Sequence, residues 1–220
     1  MKFNRLYAGV FLLLGTFMAV SCEKHEPVVD YSLKIGNIYC QDGRILPPEA
    51  FDASIHEAVA VITVIGQDGQ DFKAIGVALD EWQDNLLNRN VNIDGVNGTT
   101  DDLAGKANTA AIIEAVSSDT TLVAPAIASI QHYRESDGRW HLPSCGELLR
   151  LSLNRHKVGE SLDRVGGRPL SDSYYLSSTQ DGTSDNTQIH YMRNVSLFEG
   201  RVIGAEKTSV KTVRPFLLIQ

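Results

Sequence analysis

The stretch GRWHLPSCGELLRL, residues 138–151, sets Cys145 between a serine and a glycine, with His132, His141 and His156 nearby in the sequence. A thiol in the first turn of a helix is a recognised nucleophile environment, because the positive end of the helix dipole favours the thiolate. The spacing says that a helix begins here. Ser144 is followed three residues later by Glu147, just ahead of an apolar run from Leu148, which makes a capping box. In it the serine oxygen accepts from a backbone N–H and the glutamate reaches back to the start of the helix. Pro143 favours an extended approach. A nucleophile also needs a base and a third group to orient that base. His141 is the nearest base, yet no Asn or Asp stands in a recognisable third position and no cysteine-hydrolase signature surrounds Cys145. No catalytic residue is assigned, and the chain is read as a binding protein rather than an enzyme.

Metal chemistry fares no better at this level. The histidines lack the HExxH spacing, and Cys40 and Cys145 are too few for a cysteine-rich zinc site, so no metal ligand and no cofactor is assigned. From Asp80 to Gly105 the chain is rich in Asn, Asp and Gly, but it lacks the glutamate that closes an EF-hand loop. That stretch is read as a long, mostly solvent-facing loop.

The amino terminus is a targeting segment. Lys2 and Arg5 precede an apolar run from Leu6 to Val20, too short to cross a bilayer comfortably, since a spanning helix takes about 20 residues. The run ends in Ala19-Val20-Ser21-Cys22, which resembles the lipobox of bacterial lipoproteins, with Ala19 where leucine is usual. Residues 1–21 are accordingly a lipoprotein signal peptide, Cys22 is the acylated first mature residue, and 22–32 form a tether. The resemblance implies an exported protein held by lipid at the outer membrane or cell surface. Losing Lys2 and Arg5 takes the formal net charge from −7 to −9. Such acidity, with no Lys/Arg cluster, excludes nucleic acid as a partner. With Cys22 assigned to lipid, Cys40 and Cys145 are either one disulfide, closing a loop of about a hundred residues, or two buried free thiols.

The rest of the chain supplies the frame. Strands are expected over 33–39, 57–65 and 72–79, the last two forming a hairpin around Gly/Asp turn residues. Helices follow over 108–116, with Asn108 or Thr109 as cap, over 124–134, with Pro125 in the first turn, and from Ser144 onward. A further helical turn ends at Gly166-Gly167. Strands then return over 174–178, 187–198, 201–204 and 212–219, with FEGR as a hairpin turn. Strands, helices, then strands describe an α+β domain in which helices pack on antiparallel sheet.

The segments WHLPSCGELLRL, VGGRPL, YYLSST and TVRPF, in that order, resemble the W-x-L-P-S-x-x-E-L, Y-W-S-S-T and V-R-P signatures of a bacterial C-type-lectin-like domain family. GKANT at 105–109, KIGNIYCQDGRI and AIGVAL are also similar to family segments, so the likeness covers 33–220. Fimbrial-tip subunits and surface lipoproteins of gut anaerobes carry this domain. The resemblance implies binding of a glycan or surface protein, or a place as accessory or tip subunit in a fimbria-like assembly. One departure is Leu176, where the family has tryptophan. The E-P-N and Q-P-D triplets of calcium-dependent sugar binding are absent. Formylglycine-generating oxidases have a distantly related fold, but nothing above supports turnover here.

The matched residues have mostly structural readings. Trp140 and Leu142 fill core, Pro143, Ser144 and Glu147 start a helix, and Ser177 and Ser178 cap or bridge strand ends. Arg214, between apolar residues, forms a structural ion pair or meets a ligand. Mapped onto this sequence, the family's diversifiable surface is 181–194. Asp181, Asp185, Gln188, His190, Tyr191, Arg193 and Asn194 offer the rings, charges and hydrogen bonds of a recognition face. The plain alternative is that half of these side chains merely face water on an ordinary strand.

Overall fold

The computed structural model describes residues 28–134, 138–181 and 191–220. Among the described residues, eleven strands form two sheets, with four α-helices. Strands β1 (Ile38–Cys40) and β2 (Ile45–Leu46) pair around the Asp42-Gly43 turn, where Gly43 takes φ +83°, a conformation that favours glycine. Strand β3 (Ala58–Ile65) and β4 (Ala74–Ala78) form the expected hairpin, buried along almost its whole length. β5 (Trp82–Asp84) is followed by α1 (Gly105–Ser118) and α2 (Pro125–His132), whose Pro125 opens the first turn. β6 (Trp140–His141), α3 (Cys145–Leu153) and α4 (Arg155–Arg164) come next. The last strands are β7 (Tyr174–Gln180), β8 (Tyr191–Ser196), β9 (Arg201–Glu206), β10 (Lys211–Val213) and β11 (Phe216–Ile219).

One sheet has six strands in the order β2-β1-β3-β4-β11-β6, all antiparallel. The other has five, β5-β10-β7-β8-β9, with one parallel pair, β10 with β7. Helix α3 lies against both, touching β3, β7 and β8. Leu148 and Leu151 on its inner face are fully buried, each contributing roughly 1.5–3 kcal/mol. The architecture is α+β.

Four expectations need correction. Strand β1 is confined to Ile38–Cys40 rather than 33–39. The stretch 212–219 is two strands in two different sheets, because Pro215 has no N–H to donate and Arg214 turns into the core between them. The segment 80–105 is not simply a solvent-facing loop: it contains β5 and buries Leu86, Leu87 and Ile93 at 2% exposure or less. Helix α1 starts at Gly105, ahead of Asn108 and Thr109, so neither is its cap. Their side chains serve neighbouring segments instead, Asn108 Oδ1 accepting from Asn97 N at 2.8 Å and Thr109 Oγ1 from Leu142 N at 3.0 Å.

The cysteines are settled as the second alternative. Cys40 ends β1 and Cys145 begins α3, and both are free, buried thiols within one apolar cluster. No disulfide joins them. Burial pushes each thiol up to about 11. Cys145 is therefore the opposite of an activated nucleophile.

Candidate functional site

The WHLPSCGE segment builds a closed polar knot. Glu147 Oε2 accepts from Ser144 N at 2.9 Å, and Ser144 Oγ accepts from Glu147 N at 3.2 Å, completing the capping box. The same carboxylate oxygen lies 3.2 Å from His141 Nε2. Helix α1 starts against this group so closely that a Cβ on Gly105 would stand 2.2 Å from Glu147 Oε2. His141 and Glu147 are each 1% exposed, and Trp140 packs edge-on against Tyr133 at 4.8 Å between ring centroids. Ser178 Oγ donates to Pro143 O at 3.2 Å and Ser177 Oγ bridges to Arg193 O at 2.5 Å. With no solvent access, this knot positions elements and does not meet a ligand.

Arg214 is the second closed group. Its Nη1 donates to Glu81 Oε2 at 2.8 Å, and its Nε and Nη2 donate to Ala78 O, Leu79 O and Arg168 O at 2.9, 3.1 and 2.7 Å. Tyr175 also donates to Glu81, at 2.6 Å. Burial and that carboxylate push the Tyr175 hydroxyl up to about 12. Of the two readings of Arg214, the geometry matches the ion pair.

The late-strand face is different. Strand periodicity separates Arg193 from Asn194. Asn194 is 1% exposed, its Nδ2 donating to Met192 O at 2.9 Å, so it is unavailable to a ligand and the expectation for it is corrected. Asp181, Tyr191 and Arg193 are half-buried. Arg193 Nη1 donates to Thr100 Oγ1 at 2.6 Å and Nη2 meets Asp181 Oδ1 at 3.3 Å, while its buried Nε has no partner among the described residues. Gly204 of β9 lets Asp181 and Tyr191 pack closely over its backbone, since a Cβ there would stand 3.2 Å from Asp181 Oδ2 and 3.7 Å from the Tyr191 ring. Asp185, Gln188 and His190 lie outside the described residues, as does Cys22.

Two contributors escaped the sequence reading. Thr100 comes from the segment taken as a solvent-facing loop. Lys207, just past β9, is fully buried and donates to Val91 O and Gln180 Oε1, tying that same segment to the end of β7. Gln180 completes the tie by accepting from Ile93 N at 3.1 Å and donating to Asn92 Oδ1 at 2.5 Å. Burial lowers the Lys207 ammonium to about 8. With Glu206 beside it in the sequence, Lys207 reads as an ordinary surface lysine and gives no sign of such a role. Cys40, Asp42 and His56 also converge, away from this face, with their potential ligand atoms within 4.8 Å of one another.

Among the described residues no helix is long and apolar enough to cross a membrane. No protein-family model matches the sequence, and no curated protein matches it. Among solved structures, a fimbrial protein from Bacteroides ovatus is similar, with a TM-score of 0.67 and 16% identity over 85% of this chain. The matched region covers 49% of that protein, so the chain spans about half its length. At that identity the likeness shows the fold alone: an α+β arrangement in common with part of a fimbrial protein.

Proposed function

We propose that the protein is an accessory or tip subunit of a fimbria-like surface assembly, exported, lipid-anchored through Cys22 and without a reaction of its own. The observation that carries this reading is the fold it has in common with part of a fimbrial protein. Its sequence signatures favour placing that α+β fold in the C-type-lectin-like class. Affinity purification of surface filaments from the source cells tests the proposal. The chain should co-purify with the filaments and cross-link to their subunits. Recovery only as a monomer, absent from every filament fraction, would overturn it.

A second reading is favoured by one specific observation, the partly exposed Arg193 guanidinium paired with Asp181 beside Tyr191. In this reading the late-strand face binds a glycan or a surface protein. A glycan array and a pull-down from surface extracts, run with wild type and the Tyr191→Ala/Arg193→Ala double variant, separate the two. A ligand lost only in the variant supports the face, and one retained unchanged sinks it.

A further inference from the structure

We propose that Cys40, Asp42 and His56 form a binding site for a divalent ion of the zinc class at the β1–β2 edge of the six-stranded sheet. Residues 40 and 42 come from one turn, and residue 56 from the segment leading into β3. The pairing of β1 with β3 slips in register at Tyr39/Cys40, and Gln41 N donates to Glu57 O at 2.9 Å, so the two segments are clamped side by side. The turn itself is fixed by Gly43 N to Cys40 O at 2.9 Å, Cys40 N to Arg44 O at 2.8 Å and Arg44 N to Asp42 Oδ1 at 3.1 Å. His56 is held by its own N–H to Asp52 O at 2.9 Å. Three ligand types thus face one point on a pre-ordered backbone.

The distances suit an ion. Sγ of Cys40, a carboxylate oxygen of Asp42 and a ring nitrogen of His56 all lie within 4.8 Å of one another. His56 Nδ1 stands 3.6 Å from Asp42 Oδ2. Around tetrahedral zinc, with metal–ligand distances of about 2.0–2.3 Å, ligand atoms are roughly 3.3–3.7 Å apart. Small side-chain movements close the set.

A second observation is independent of the clustering. His56 Nδ1 is buried and makes no hydrogen bond among the described residues. Buried ring nitrogens are normally satisfied. Here the nitrogen stands 3.6 Å from the Asp42 carboxylate, beyond hydrogen-bond distance, and within 4.8 Å of the Cys40 thiol, which makes a long contact to Ile38 O at 4.0 Å. An ion between them satisfies all three. One cation competes: Arg44 Nε lies 3.4 Å from Asp42 Oδ2, but its side chain is 66% exposed and can swing into solvent.

The donor set of one sulfur, one nitrogen and one oxygen selects a borderline ion such as Zn²⁺ over Mg²⁺ or Ca²⁺, which prefer all-oxygen sites. Binding replaces the thiol proton of Cys40, which leaves to solvent, and a water completes four-coordination. A cleft of about 550 Å³, lined by His56, Glu57, Asp80 and Arg134 among others, opens beside His56. None of this rests on the fibre or ligand readings above.

The test uses the reduced full chain carrying Cys22→Ser, so that only Cys40 and Cys145 remain as thiols. Co²⁺ is titrated in while the sulfur-to-cobalt charge-transfer band is followed, and Zn²⁺ is then added to displace it. The expected result is one equivalent of Co²⁺ with a thiolate band, displaced by Zn²⁺ and unchanged in Cys145→Ser. The band should vanish in Cys40→Ser. Asp42→Asn and His56→Gln, at positions that are not core, should each weaken binding by at least the roughly 10–100-fold typical of losing an outer-shell partner. No band, a band that survives Cys40→Ser, or wild-type affinity in His56→Gln overturns the proposal.

Discussion

Two arginines reached by the late strands, Arg214 and Arg193, show how one residue type serves two purposes. Arg214 is fully buried, and each of its nitrogens donates to a carbonyl or to Glu81. Arg193 is 26% exposed at its side chain, has one ion-pair partner and one hydroxyl, and leaves Nε without a partner among the described residues. The first guanidinium is spent on joining the β4–β5 link to residues 168–169. The second is partly exposed, with its unpartnered Nε buried beneath. Exposure of the guanidinium, not charge or strand position, is what separates scaffold from candidate contact.

The largest expected effect breaks the closed side of this comparison. Replacing Arg214 by Met strands Glu81 and several backbone carbonyls, and should cost about 3–5 kcal/mol in urea unfolding. Next, Gly105→Ala drives a Cβ to 2.2 Å from Glu147 Oε2 and should cost about 3 kcal/mol. Gly159→Ala in α4, where nothing lies within 4 Å, should instead gain about 0.5 kcal/mol, so a similar loss at both positions would refute the close-approach argument.

A smaller effect concerns Lys207, under the open face. Its ammonium is lowered to about 8 in the folded protein from 10.5, so between these values the unfolded chain holds a proton that the folded one has released. Stability from this residue therefore rises with pH across that window. Measured unfolding midpoints should show wild type gaining on Lys207→Met from about pH 7.5 to about pH 9. Above 9 the two thiols act in the other direction, because each is raised from 9.0 to about 11 when folded and its contribution is lost as pH climbs through that range. The smallest effect is at Arg193. Arg193→Ala should cost no more than about 1 kcal/mol in the same unfolding measurement, as partly exposed pairs do. A loss as large as that at Arg214 would make Arg193 another scaffold residue and end its candidacy.

Much of the frame was legible in the sequence because its signals are local. Ser144 and Glu147 specify a capping box within four residues, the run 57–65 specifies a strand by its β-branched residues, and Gly166, at φ +70°, closes α4 as a C-terminal glycine does. The break at Arg214-Pro215 was written there too, in a proline that cannot continue a sheet, although 212–219 looks continuous by hydropathy. The candidate face was legible only in part. Alternation along β8 could not say which of Arg193 and Asn194 would point to solvent, since both are polar.

By itself the sequence determined the succession of strands, then helices, then strands, the α+β class, the helix start at Ser144 and the burial of Trp140 and Leu142, through patterns local to each segment. Only the tertiary structure decided the rest. It left Cys40 and Cys145 as separate thiols, brought Thr100 to Arg193 and Val91 to Lys207, and placed His56 beside Cys40 and Asp42. Such meetings depend on how sheets and links pack across many residues of chain, and no local pattern encodes that distance.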